Sequence, residues 1–213
     1  MGRPRRATKR LAALSLMGVV ALFSTPALLA FSREVAGPPS IEMGDVWVDR
    51  LSSGDQEFRV LSAAANGVLY TMWGSQQRSD SQWNPIVTRS LTESKDPPLI
   101  YARPLSIFPF PLIPGKRWSD ETRWQIPYLS QAGRSVLAGQ VGEWEQVAVP
   151  AGTFHALRVD VTIRGIGRLG WNDTTYITYW YAPECNRFVK FHFGDENQGI
   201  VDAEMVSYKP ARW

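Results

Sequence analysis

The spacing of apolar and polar residues changes character twice along this chain. Leu11 to Phe31 is an apolar run of 21 residues with no charged side chain. Residues 32–44 follow, contain Gly37-Pro38-Pro39 and read as a linker. From Asp45 onward the pattern takes a period of two, which is the signature of half-buried strands. Val46-Trp47-Val48-Asp49-Arg50 and Glu57-Phe58-Arg59-Val60-Leu61 roughly alternate. Asn66-Gly67 separates two such runs, the second being Val68 to Trp73, and Asn-Gly tolerates the positive φ of a tight hairpin turn.

Alternation is clearest in the second half. Val141–Val149 leads through Val149-Pro150-Ala151-Gly152, a sequence suited to a type I turn, into a strand over Thr153–Ile163. There Leu157, Val159, Val161 and Ile163 point one way, while Arg158, Asp160, Thr162 and Arg164 point the other. Asn172-Asp173 marks a turn before Thr174–Tyr181, Pro183–Asn186 a corner before Phe188–Phe193, and Val201–Tyr208 a closing strand. Gly74–Pro98 is polar and weakly patterned, and reads as loop with one short strand near Ile86. Phe108–Gly115 carries three prolines, each lacking an amide donor, and reads as an apolar strap lying against a sheet. The fold class that follows is all-β: a strongly curved antiparallel sheet, half-barrel or barrel of about ten strands, after an N-terminal hydrophobic helix.

Charge then separates the two parts of the chain. Formal net charge is +3, but Arg3, Arg5, Arg6, Lys9 and Arg10 fall in the first ten residues with no acid among them. Without those five, 18 basic residues face 20 acidic ones, a net of −2, so the folded part lacks the basic stripe that nucleic acid requires. A cationic head before an apolar run is an export signal. Thr25-Pro26-Ala27 offers small residues for cleavage after Ala27, with Ala30 as a second position, while the length also suffices to span a bilayer. Residues 1–31 are therefore a signal peptide or a signal anchor, and residues 45–213 a β domain outside the cytoplasm, periplasmic or extracellular. If uncleaved, residues 1–31 tether it to the inner membrane. The lone cysteine, Cys185, can form no intramolecular disulfide and lies far from any lipoprotein attachment motif.

Several segments together resemble a known family. They are Gly44-Asp45-Val46-Trp47, Phe110-Pro111-Leu112 with Gly115-Lys116-Arg117-Trp118, and Glu145 to Phe154 with Ala156-Leu157-Arg158-Val159. Tyr179-Trp180-Tyr181-Ala182-Pro183, Val189-Lys190 and Val206-Ser207-Tyr208 complete the series. In this order they are similar to a family of uncharacterised bacterial periplasmic β proteins, whose sheets resemble the half-barrel of the lipoprotein localisation factors. The resemblance covers about residues 44–208 and implies a fold, not an activity; no site residue follows from it. Cys185-Asn186 departs from the family's glycine-containing turn, as does the weak pattern of 74–98.

Reactive chemistry is sparse. Gly165-Ile166-Gly167-Arg168-Leu169-Gly170 spells G-x-G-x-x-G after a strand, but Trp171-Asn172-Asp173-Thr174 follows where a phosphate site needs a helix. His155 and His192 are the only histidines, too few for a zinc or catalytic cluster without further ligands. Cys185 has no glycine elbow or helix start to activate it, and Glu143 and Glu145 read as solvated strand acids beside Val141 and Val147. Asn172-Asp173-Thr174 is a formal glycosylation sequon, idle in a chain with a bacterial export signal. No enzyme and no cofactor are expected.

Aromatic residues carry the remaining signal. Trp144, Phe154, Tyr176, Tyr179, Trp180, Tyr181 and Phe191 lie in consecutive strands, and Tyr179-Trp180-Tyr181 puts rings on both faces of one of them. The strap, a partner or an apolar ligand would cover the second face. The expectation is an exported, non-enzymatic envelope protein holding a lipid-like ligand on a concave face lined by Trp118, Trp144, Phe154, Tyr179, Tyr181 and Phe191. Two alternatives stand beside it. One is a membrane-anchored scaffold or adaptor binding another envelope protein through a strand edge. The other is a carbohydrate-binding module using exposed Trp73 and Trp83.

Overall fold

The computed structural model describes residues 35–72, 74–88, 98–167, 172–195 and 199–211. The export segment, Trp73 and Arg168–Gly170 of the glycine motif lie outside them.

Among the described residues twelve antiparallel strands follow one another in a meander, and β1 pairs with both β2 and β12, so the sheet closes into a barrel. The strands are β1 (Val46–Leu51), β2 (Gly54–Ala64), β3 (Gly67–Met72), β4 (Ser75–Ser79), β5 (Pro85–Thr88) and β6 (Leu99–Tyr101). They continue as β7 (Arg117–Ile126), β8 (Gln131–Val149), β9 (Gly152–Gly167), β10 (Asn172–Ala182), β11 (Arg187–Asp195) and β12 (Gly199–Lys209). The curved all-β fold is as the alternation implies, with twelve strands in place of about ten. Weakly patterned Gly74–Pro98 holds β4 as well as β5, because Ser75, Gln77 and Ser79 are buried polar residues that break the apolar alternation. Asn172 and Asp173 are not a turn: they open β10, opposite Ile166 and Gly165.

Individual residues decide the local geometry. The β2–β3 hairpin turns at Ala65-Asn66, one residue before the expected Asn66-Gly67: Gly67 opens β3 opposite Ala64 with φ +129°, and a Cβ there would stand 2.3 Å from the Ser79 carbonyl oxygen. No other residue fits there. Pro183–Cys185 forms a 3-10 turn ended by Asn186 at φ 53°, so asparagine fills the left-handed position that a glycine would otherwise take. In β9 the buried Leu157, Val159 and Val161 face inward, as the alternation requires.

The proline strap and the residues before it close the barrel where its strands are shortest. β6 meets β7 at Ile100↔Gln125 and Tyr101↔Trp124. Beyond Tyr101 residues 102–107, which lead into the strap, run along β7 instead: Ala102 N donates to Arg123 O at 2.9 Å, Trp118 Nε1 to Ser106 O at 2.8 Å, and Ser106 N to Asp120 Oδ2 at 2.9 Å. On the other side Leu105 N donates to Pro85 O and Phe108 N to Asn84 Oδ1. The side chains of Leu105, Ile107, Phe108 and Leu112 are buried in the core. The segment before β1 is tied down too: Ala36 bridges Leu112, and Tyr181 Oη donates to Gly37 O at 3.3 Å.

Candidate functional site

Strand register arranges the inner wall in rungs, since residues directly opposite in a pair share a face. One rung runs Trp118–Gly139–Val161–Ile177–Phe193–Val201 across β7 to β12. The next runs Val141–Val159–Tyr179–Phe191–Ala203. Val141, Val159, Val161, Ile177 and Ala203 are buried, while Trp118, Tyr179, Phe191, Phe193 and Val201 remain partly accessible. Trp118 lies flat across Gly139, where an added Cβ would be 2.2 Å from the indole, so the glycine is what allows the ring to cover the wall.

Of the six residues expected to line a ligand, three therefore share one continuous band: Trp118, Tyr179 and Phe191, the last two 6.2 Å apart between ring centroids. Tyr181 shares their face, and its ring meets Phe110 of the strap at 5.3 Å. The strap also sets Phe108 against Tyr179 at 4.9 Å and Phe188 at 4.2 Å. Trp144 pairs with Leu157 beyond the bulge at Gly142-Glu143 and stacks on His155 at 4.8 Å. Phe154 pairs with Val147 and stands one residue out of step with His155 and Leu157, on the opposite face from Tyr179 and Tyr181. It does not join them. Trp180 faces outward as alternation requires; its Nε1 donates to Glu145 Oε2 at 2.8 Å and Lys190 Nζ lies 5.8 Å from its ring.

A second feature was not legible in the sequence. Asp49 and Arg187, 138 positions apart, form an ion pair of 2.6 Å with both side chains buried. The guanidinium carbon lies 4.0 Å from the Phe58 ring centroid and 4.8 Å from that of Trp47. Trp83 packs edge-on against Trp47, Phe58 and Tyr70. Trp83 is buried at 9% exposure, so it is not the exposed sugar platform expected of it. Three buried donors in this cluster have no acceptor: Trp47 Nε1, Trp83 Nε1 and Arg187 Nε. An alternation reading treats Trp47 and Phe58 as ordinary core; only the long-range pairing of Asp49 with Arg187 reveals a polar centre.

The reactive residues weighed from the sequence occupy separate settings. Cys185 is buried and its Sγ donates to Ala182 O at 3.5 Å; burial, and then the nearby Glu184 carboxylate, push its thiol up to about 12, so it stays protonated and inert. His192 Nδ1 pairs with Asp202 Oδ1 at 2.6 Å, on the Lys190 face as the alternation implies. His155 lies against Trp144, and its backbone N donates to Glu184 Oε1 at 3.2 Å. Among the described residues no group of three or more His, Cys, Asp or Glu side chains is placed to hold a metal ion. Gly165 and Gly167 end β9, and the described chain resumes as β10 paired back on it, so strands flank the glycine motif.

No family model matches the chain, and a search of curated proteins finds no match. Solved structures do match. A hypothetical lipoprotein of Escherichia coli, YmcC, aligns at 11% identity and a TM-score of 0.50, over 80% of this chain and 86% of that one. The fold is similar to that of YmcC. An exported protein with a YmcC-like fold from Bacteroides fragilis aligns at 12% identity and a TM-score of 0.39, over 83% of this chain and all of that one. A candidate lipoprotein of Parabacteroides distasonis gives 16%, 0.45, 83% and 100% in the same terms. At this identity the YmcC likeness speaks for architecture alone, and the sequence resemblance to curved-sheet envelope proteins holds at that level.

Proposed function

We propose that this chain is an exported, non-enzymatic envelope protein that holds a lipid-like ligand against the inner wall of its barrel. The observation that carries the reading is the half-accessible apolar band formed by Trp118, Phe191, Phe193 and Val201 beside buried Val161 and Ile177. Apolar side chains on the inner wall of a barrel are ordinarily sealed by packing, and leaving them partly open forgoes about 25 cal/mol per Å² of burial. An acyl chain would recover that burial. Export rests on the basic head and apolar run of residues 1–31, which act as a cleaved signal or as a membrane tether. Fold likeness to a hypothetical lipoprotein is in keeping with an envelope location.

The adaptor alternative loses its main physical support. A closed barrel whose short strand is backed by the strap presents little free edge for a partner strand.

Binding of a fluorescent fatty-acyl probe tests the proposal. Phe193→Arg places a charge in the band and is expected to weaken binding at least tenfold, whereas Tyr176→Ala, an exposed outer-face control, leaves it unchanged. Equal binding by wild type and a well-folded Phe193→Arg variant rejects an inner-wall site. Wild-type protein with no affinity for the probe, and no lipid recovered by mass spectrometry after detergent-free purification, rejects the ligand altogether.

A further inference from the structure

Three buried N–H groups without acceptors inside one contact cluster are a specific anomaly. Trp47 and Trp83 are 1% and 9% exposed and Arg187 is 7% exposed, so bulk solvent does not reach them. Each buried donor left without a partner costs roughly 1–3 kcal/mol, and native proteins contain few. All three are donor-only groups: an indole and a guanidinium carry no acceptor and cannot satisfy each other. What the cluster lacks is an acceptor oxygen.

Charge narrows the chemistry of that oxygen. Asp49 already neutralises Arg187, through Nη2 and Oδ2 at 2.6 Å. A second carboxylate would meet Asp49 across a low-dielectric interior and raise its own cost. A neutral acceptor, a carbonyl oxygen, suffers no such repulsion. The cluster also connects to the apolar band. Arg187 is followed in β11 by Phe188, whose ring stands 5.0 Å from that of Tyr179 between centroids. Tyr179 belongs to the band itself.

We propose that Trp47, Trp83 and Arg187 form the polar end of the interior site and donate hydrogen bonds to the ester carbonyl oxygen of a bound acyl-chain ligand. This rests on the interior-ligand reading above and adds the ligand's class: a neutral acyl ester, in preference to a free fatty acid or a hydrocarbon. The acyl chain lies along Trp118, Phe191, Phe193 and Val201, and the ester is buried at the ion pair.

Titration calorimetry with three probes tests it: 1-monopalmitoylglycerol, its ether analogue 1-O-hexadecylglycerol, and palmitate. The two glycerol lipids share a chain and a head, and only the ester has a carbonyl. We expect the ester to bind about tenfold more tightly than the ether, the value of one buried acceptor restored to its donor. Palmitate is expected to bind more weakly than the ester. Trp83→Phe removes one donor and should shrink the ester-to-ether ratio while leaving affinity for the ether in place. Equal affinity of wild type for ester and ether overturns the carbonyl site yet keeps an apolar one, and this comparison needs no variant to fold. Palmitate binding tighter than the ester overturns the neutral-acceptor argument. Failure of all three probes to bind overturns the interior-ligand reading together with this one.

Discussion

The side chains of Asp49 and Arg187 show how a single residue can be both a local strand member and a long-range tie. Asp49 sits in β1 opposite Met205 of β12, and Arg187 opens β11 opposite Ala182. Their ion pair links strands from the two ends of the sequence inside the closed sheet, with Phe58 and Trp47 flanking the guanidinium. Removing one partner leaves a charge in an apolar cage. Arg187→Ala is therefore expected to cost about 3–5 kcal/mol in urea unfolding. The double variant Arg187→Met with Asp49→Leu removes both charges and should recover much of that loss. If the double variant is as unstable as Arg187→Ala, the loss comes from packing against Trp47 and Phe58 and not from a stranded carboxylate.

At the scale of elements the strap does the work of a strand without being one. The residues leading into it are anchored by Asp120 of β7, which accepts from both terminal nitrogens of Arg103 and from the Ser106 backbone N. The Arg103 guanidinium, and then the Ser106 and Glu121 amides, hold the Asp120 carboxyl well below the usual carboxylate range although its burial raises it. A carboxyl whose folded-state pKa is depressed stabilises the fold fully above its unfolded value, about pH 4, and that contribution fades as pH falls through the lower folded value. Wild type is thus expected to lose its stability advantage over Asp120→Asn progressively below pH 4, as read by thermal unfolding at a series of pH values. A constant gap between the two proteins from pH 7 to pH 2 excludes the ion pair as the source. The three prolines made the strap visible in the sequence, because they forbid a ladder while leaving apolar side chains to bury. Its anchoring was not visible, since Arg103 and Asp120 are 17 positions apart and nothing in the local pattern of either pairs them. Asn172-Asp173 shows the opposite error: turn-prone residues sit in β10 because pairing with Gly165 and Ile166 overrides their local preference.

For the whole molecule, closure depends on strands of very unequal length. β8 and β9 pair continuously from Val149↔Gly152 to Gly133↔Gly167 apart from one bulge, and alternation over such lengths is what made the second half legible. β4, β5 and β6 meet through two rungs at each junction, Arg78↔Val87 and Ser79↔Pro85, then Val87↔Ile100 and Thr88↔Leu99. Strands of three or four residues hold too few side chains for a period to register, so the sequence could suggest a half-barrel or a barrel without choosing between them. The same inequality sets local stability, because opening a segment costs the contacts and hydrogen bonds it makes. Native-state hydrogen exchange is expected to release the amides of Ile86, Val87 and Thr88 and of Leu99–Tyr101 first among the strands, and those at the centre of β8 and β9 last, near the global unfolding free energy. The seam at β5–β6 is then where the barrel opens, and an acyl chain entering the inner wall would pass there, against the strap. A bound ligand seated inside should slow exchange at Val87, Thr88 and Ile100 more than in β8 and β9. Exchange at the seam as slow as in β8, or unaltered by a saturating ligand, would show that the barrel opens elsewhere.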